Sequence, residues 1–135
     1  MKNVIFFIAL FGLLSACSGD DDTAPDNYNT TLIGDWKLIE VLADPGNGSG
    51  SFYGVDSDKI LTFHADGTVT SNGVLCDMSL TATGGSNGTY SASQSVFMSS
   101  SCINPEYNYP FVQTDNILII EYFCIEPCKA KYMKI

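Results

Sequence analysis

The five cysteines are the residues of this 135-residue chain whose chemistry depends most on their position. A cysteine thiolate can attack an electrophile, bind a metal ion or pair in a disulfide, and the surrounding residues favour one of these reactions. Cys17 lies three residues after the end of an apolar stretch at residues 4–14. The other four lie in the second half of the chain, at Cys76, Cys102, Cys124 and Cys128. The two groups therefore predict different chemistry.

The N-terminus has the composition of an export signal. Lys2 precedes the apolar stretch, which is shorter than the ~20 residues that span a bilayer and matches the hydrophobic region of a signal peptide. The next residues, Leu14-Ser15-Ala16-Cys17, resemble the lipobox of bacterial lipoproteins. The resemblance implies that residues 1–16 are a signal peptide that is removed, and that Cys17 carries a lipid. An ordinary secretory signal that happens to end near a cysteine is the alternative.

An acidic, polar stretch follows Cys17. The run Asp20-Asp21-Asp22 resembles the acidic signal with which some Gram-negative bacteria send lipoproteins to the cell surface. A solvated spacer is the alternative, since a block of like charges repels itself and stays extended. Residues 18–31 contain too little apolar surface to order themselves. We therefore predict a flexible tether over residues 17–31 that holds the protein, through its lipid, on the outer membrane, with the domain exposed at the cell surface.

The remaining four cysteines indicate two disulfides, because an even number in an exported chain favours oxidation. Three connectivities are possible. Cys124 and Cys128 flank three residues between two apolar segments, which suits a hairpin whose ends are clamped together. The preferred pairing is therefore Cys124 with Cys128 and Cys76 with Cys102. The Cys-x-x-x-Cys spacing is not that of a disulfide exchanger, and a zinc site is disfavoured by the export context.

Charge and the other reactive side chains argue against several functions. The formal net charge is −9, and the chain has no arginine, so the basic surface needed to bind nucleic acid is missing. His64 is the only histidine, and no nucleophile has an obvious partner motif. Asp56 and Asp58 provide too few oxygen ligands for calcium. We predict no catalytic residues, no metal site and no cofactor.

The apolar pattern from residue 32 to residue 135 has a period of two, which is typical of strands. Asp66-Gly67 supplies the positive φ that a hairpin turn requires. The pattern predicts an all-β domain, an antiparallel barrel or sandwich of about eight short strands without a helix. The candidate strands are residues 36–42, 60–64, 68–71, 74–83, 89–93, 95–99, 109–113, 117–123 and 129–135, with a turn at 84–88.

Three segments resemble bacterial lipocalin-like lipoprotein domains. Gly34-Asp35-Trp36 is similar to the opening Gly-x-Trp motif of lipocalins. Residues 61–69 resemble the second and third strands of the bacterial domains, and residues 124–135 resemble their C-terminal end. The resemblance implies a small up-and-down β-barrel over residues 32–135. Lipocalins usually pack an arginine against the motif tryptophan; here Lys131 or Lys134 would have to replace it, without the planar face of a guanidinium.

A β domain of the heat-shock or META type is the second possibility for the fold. The features that resemble it are Cys76-Asp77, the segment Gly88-Thr89-Tyr90 and Cys102. Such a domain would also be rich in strands but would lack a ligand cavity.

The lipocalin-like resemblance implies a cavity that binds a small hydrophobic or amphipathic molecule. An eight-stranded barrel is just wide enough to hold one such ligand or to be filled by its own side chains. Tyr107, Tyr109 and Phe111 could form an aromatic rim or pack a loop against the barrel. The residues expected inside, as ligand contacts or as plain core, are Trp36, Leu61, Phe63, Val69 and Ile119.

The sequence therefore leaves two alternative functions. One is a lipid-anchored binding module for a small hydrophobic compound. The other is a structural or interaction lipoprotein with a filled core and a surface for a protein partner. A cavity lined by Trp36 and Phe63 would favour the first function, and a packed interior would favour the second.

Overall fold

The computed structural model describes residues 31–135, so the predicted signal peptide, Cys17 and the predicted tether up to residue 30 lie outside the described residues. The described chain contains strands and no helix, hence none that is long and apolar enough to cross a membrane. Its nine strands are β1 (Gly34–Ala43), β2 (Tyr53–Gly54), β3 (Ile60–Phe63), β4 (Thr68–Ser71), β5 (Ser86–Ser91), β6 (Val96–Met98), β7 (Tyr109–Thr114), β8 (Ile117–Glu121) and β9 (Cys128–Lys134).

Eight of these strands close into an antiparallel barrel, as the sequence predicted. From β3 onward each strand pairs with the next one along the chain, and β1 pairs with both β3 and β9 to close the ring. The ten-residue β1 is long enough to pair with two strands, β3 and β2, along the same edge. Residues Gly34 to Lys37 pair with β3, while Glu40 and Val41 pair with the extra strand β2.

The interior of the barrel follows from the alternation of side chains along each strand. In β3, Leu61 and Phe63 are buried while their neighbours are partly exposed, and β8 buries Leu118 and Ile120 in the same way. Buried apolar surface stabilises the fold by about 25 cal/mol per Å². The interior side chains therefore supply the main driving force for closure of the barrel.

The two ends of the barrel differ in the length of their connections. At one end, here called the turn end, short turns at residues 64–67, 92–95 and 115–116 join the strands. Gly67 takes a φ of +86° in the first of these turns, which confirms the role predicted for Asp66-Gly67. The opposite end, here called the loop end, carries the four longer connections, residues 44–59, 72–85, 99–108 and 122–127.

The predicted strand at residues 74–83 is wrong, because residues 72–85 form a folded loop at the loop end. Its carbonyls bond side chains instead of a neighbouring strand: Lys59 Nζ donates to Asp77 and Ser79, and the Ser57 hydroxyl donates to Leu80. The predicted turn at 84–88 is also too long, since β5 begins at Ser86. Local alternation could not reveal these partners, which are distant in sequence.

Both disulfides have the preferred pairing. The bond between Cys76 and Cys102 joins two of the loops at the loop end, with the Cα atoms 5.5 Å apart. The bond between Cys124 and Cys128 clamps the connection from β8 to β9, with the Cα atoms 6.1 Å apart. All the covalent cross-links among residues 31–135 thus lie at the loop end of the barrel.

Candidate functional site

Four of the five predicted interior residues lie inside the barrel. Trp36, Leu61, Phe63 and Val69 expose at most 1 % of their surface, and they come from three different strands. Ile119 was placed wrongly. Its neighbours Leu118 and Ile120 point inward, so Ile119 lies on the outer face, where it is paired with the exposed Val112 of β7. Because strand side chains alternate, an error of one residue moves a side chain to the opposite face.

Aromatic rings meet across the interior of the barrel, towards the turn end. The ring centroids of Phe63 and Phe111 are 5.6 Å apart, and Phe63 also contacts Tyr90 at 5.0 Å, in both cases edge to face. Phe63 belongs to β3 and Phe111 to β7, which lie four strands apart in a ring of eight and therefore on opposite walls. Direct contact between opposite walls leaves no room for a ligand between these rings.

Tryptophan and lysine close the turn end. Trp36 Nε1 donates a hydrogen bond to the carbonyl of Leu32 at 2.8 Å, and Lys134 Nζ lies 5.2 Å from the centre of the indole ring. Of the two lysines that could replace the lipocalin arginine, Lys134 therefore occupies that position. Lys131 contacts Phe52 and Glu40 elsewhere on the surface.

A buried lysine helps to close the loop end. The Lys59 side chain is fully buried, donates to the carbonyls of Asp77 and Ser79 at 2.8 and 3.2 Å, and lies 3.9 Å from the Asp77 carboxylate. Gly73 allows the loop to fold tightly, since a Cβ there would lie 2.4 Å from the carbonyl oxygen of Thr81. Residues 72–85 are thus fixed over the barrel by a lysine that the sequence analysis did not single out.

Burial lowers the pKa of Lys59 from 10.5 to about 8, and the nearby Asp77 opposes this shift. The folded protein therefore binds fewer protons than the unfolded chain between these values, so the free energy of unfolding rises with pH in this window. We expect an increase of about 1 kcal/mol between pH 8 and pH 9, where the tyrosines do not yet titrate in the unfolded chain. Above pH 10 the trend reverses, because burial raises the pKa values of Tyr122 and Tyr132 and the unfolded chain loses phenolic protons first.

Denaturant unfolding at several pH values measures this effect. Lys59→Met keeps an unbranched side chain of similar size but removes the titrating amine, so its free energy of unfolding should change little between pH 8 and pH 9. An increase of equal size in the wild type and in Lys59→Met would show that another group is responsible.

A cleft at the loop end is the most distinctive surface feature of the domain. It has a volume of 290 Å³ and lies between the connections at residues 99–108 and 122–127. The Tyr107 and Phe123 rings contact each other at 4.9 Å, Phe123 is 59 % exposed and Ile125 is fully exposed. Of the three predicted rim aromatics only Tyr107 lies at the rim, since Tyr109 and Phe111 are buried in the core.

A second, larger groove of 620 Å³ lies on the outer face of β4, β5 and β6. Its walls are mostly hydroxyl and amide side chains such as Thr70, Asn87 and Thr89. Of the buried aromatic residues only Tyr122 borders one of these two clefts, the one at the loop end.

The histidine and the two aspartates considered for chemistry do not line these clefts. His64 Nε2 lies 2.9 Å from the Thr70 hydroxyl beside the β3–β4 turn. Asp56 and Asp58 are exposed in the connection before β3. Within residues 31–135, no group of three or more His, Cys, Asp or Glu side chains is arranged to hold a metal ion.

Comparison with known proteins adds no relative to this picture. Neither protein-family models, nor curated proteins, nor solved structures gave a match to this chain. The functional interpretation therefore depends on the geometry of the barrel interior and of the loop end.

Sequence reasoning missed the residues that distinguish the two ends. Lys59 follows a Gly- and Ser-rich loop and has the sequence context of an ordinary surface lysine. Phe123 and Ile125 were included in a predicted strand and a predicted hairpin loop, with no signal that both would be exposed. Only the pairing of β8 with β9 shows that Phe123 and Ile125 lie together at the loop end.

Proposed function

We propose that this protein is a lipid-anchored lipoprotein of the outer membrane, exposed at the cell surface, whose filled barrel is a scaffold for binding a protein partner. The contact between Phe63 and Phe111 carries this proposal, because it joins opposite walls of the barrel at 5.6 Å. An interior occupied by the protein's own side chains favours the interaction function over transport of a small ligand.

The point at which the chain enters the barrel supports the same function. Lys134 Nζ donates to the carbonyl oxygens of Thr31 and Ile33, so the chain enters at the turn end. A lipid on Cys17 would be connected to that end by a segment no longer than about 50 Å when fully extended. The loop end, with its disulfides and exposed apolar side chains, would then be the end opposite to the tether and free to contact a partner.

The proposed membership of the lipocalin-like lipoprotein domains depends on the motifs around Trp36 and on the closed barrel order. The position of Lys134 over Trp36 is compatible with it. A META-type domain would serve the proposed function equally well, because the function requires a scaffold and not a ligand cavity.

The fluorescence of Trp36, the only tryptophan, tests whether the interior accepts a ligand. We expect no change when an apolar dye or benzene is added to the wild-type protein. Phe111→Ala should lose about 3 kcal/mol of stability and gain binding of benzene, because apolar cavities left by truncation accept such ligands.

Val112→Ala is the matched control, since Val112 is 64 % exposed on the same strand and faces outward. It should behave like the wild type. Saturable quenching of Trp36 in the wild-type protein, or a ligand that co-purifies in native mass spectrometry, would instead favour the small-molecule carrier.

A further inference from the structure

The cleft at the loop end combines aromatic, aliphatic and acidic side chains. Phe123 and Tyr107 provide ring surface, and Ile125 is fully exposed beside them. Glu121 and Glu126 belong to the same cleft. Glu121 already pairs with Lys129 at 3.0 Å, whereas Glu126 is exposed at the tip of the connection. Single exposed apolar residues are common on proteins, but a cleft that joins several of them to carboxylates is a feature of binding surfaces.

The whole loop end is acidic. Its four connections contain one lysine, Lys59, whose buried ammonium lies beside Asp77 and offsets one negative charge. The same connections contain six carboxylates, Asp44, Asp56, Asp58, Asp77, Glu106 and Glu126. A partner with positive charge is favoured by this potential, and one with negative charge is repelled.

Elsewhere in the domain, a lysine already lies over an aromatic ring beside a carboxylate. Lys131 Nζ is 4.4 Å from the centre of the Phe52 ring and bonds the Glu40 carboxylate. A cation over an aromatic face is attracted by the electron density of the ring, by about 1 kcal/mol at exposed sites. Phe123 and Glu126 offer the same two kinds of group, and within residues 31–135 no lysine is found over the Phe123 ring.

We propose that the cleft formed by Tyr107, Phe123, Ile125 and Glu126 binds a cationic, amphipathic segment of a protein partner. A lysine or arginine of that segment lies over the aromatic rings and pairs with Glu126, while its apolar residues pack against Phe123 and Ile125. The inference rests on the proposed function, because it specifies the chemistry of the partner that would bind the loop end of the scaffold.

A binding titration with peptide probes tests the inference. The protein is the chain from residue 17 onward with Cys17→Ser, which removes the site of lipid attachment. The probes are a short amphipathic peptide of lysine and leucine and the same peptide with glutamate in place of lysine, followed by fluorescence polarisation. We expect binding of the lysine peptide only, and weaker binding as salt screens the charges.

Two pairs of variants distinguish binding in the cleft from attraction by the overall negative charge of the protein. Phe123→Ser and Glu126→Gln should each weaken binding of the lysine peptide about fivefold. Their controls at the turn end are Ile135→Ser, which removes another exposed apolar side chain, and Asp115→Asn, which removes the same unit of charge. Both controls should bind like the parent protein, and circular dichroism should show that all four variants fold.

Equal weakening by Glu126→Gln and Asp115→Asn would overturn the inference, since binding would then follow net charge alone. Failure to bind the lysine peptide would also overturn it, as would preference for anionic lipid vesicles. Dimerisation in sedimentation analysis that Phe123→Ser abolishes would show that the cleft binds a second copy of this chain. None of these results alters the packed interior reported by Trp36 fluorescence, so the proposed scaffold is tested separately.

Discussion

Cys17→Ser is expected to move the protein entirely from the membrane fraction to the soluble fraction. The acidic composition of the chain disfavours adhesion to anionic headgroups, so attachment would depend on the lipid. Each buried methylene of an acyl chain contributes ~0.8 kcal/mol, and two or more chains hold a protein stably. Loss of the thiol removes the site of attachment for all of them.

Metabolic labelling with an alkyne fatty acid, followed by carbonate washing of membranes, measures this effect. The wild-type protein should be labelled and remain in the pellet, and Cys17→Ser should do neither. Ser18→Ala is the matched control and should behave like the wild type. A Cys17→Ser protein that stays in the washed membranes would argue for another mode of attachment.

The acidic run is tested in the same cells. Changing Asp20, Asp21 and Asp22 together to alanine should keep the lipid but make the domain resistant to protease added to intact cells, if the run directs surface export. Unchanged digestion would favour the solvated-spacer interpretation, with the lipid anchor intact.

Removal of the disulfide between Cys76 and Cys102 is expected to destabilise the domain more than removal of the one between Cys124 and Cys128. The sequence separations are 26 and 4 residues. In the chain-entropy description the longer loop constrains the unfolded chain by about 3.5 kcal/mol and the shorter one by about 2 kcal/mol. The first loss corresponds to a decrease in melting temperature of about 15 °C for a domain of this size.

Calorimetry of the two double alanine variants provides the comparison. The pairs are well matched, since each contains one cysteine in the buried core, Cys102 or Cys128. Hydrogen exchange should also increase in residues 72–85 only when Cys76 and Cys102 are replaced, because their bond ties this loop to the next one. Equal decreases in melting temperature would show that the length of the closed loop does not determine the stabilisation.

Strand positions were well predicted for the two hairpins β3–β4 and β7–β8, whose strands are joined by short turns. The hairpin of β3 and β4 was found because alternation on both sides of Asp66-Gly67 is a local signal. The Cys124–Cys128 pairing was also local, and oxidation of the remaining two cysteines then had a single solution. These predictions needed no knowledge of the folded domain.

Errors occurred where the neighbours of a residue are distant in sequence. Residues 74–83 alternate like a strand, but their carbonyls bond Lys59 and Ser57. Ile119 is as apolar as Leu118 and Ile120, and only the pairing of β8 between β7 and β9 shows that it faces outward. In both cases the local sequence pattern allowed two interpretations of the same residues. Only a contact with residues distant in sequence distinguishes between them.

The amino-acid sequence by itself determined the class of fold, the order of most strands, the pairing of the cysteines and the prediction of a lipid anchor at Cys17. These depend on local alternation, turn residues and spacing. Only the tertiary structure decided that the barrel is filled and that the exposed Phe123 and Ile125 lie together at the end away from the tether. Closure brings β3 against β7 and joins four loops at one end, and such contacts between distant segments are set by the packing of the whole chain.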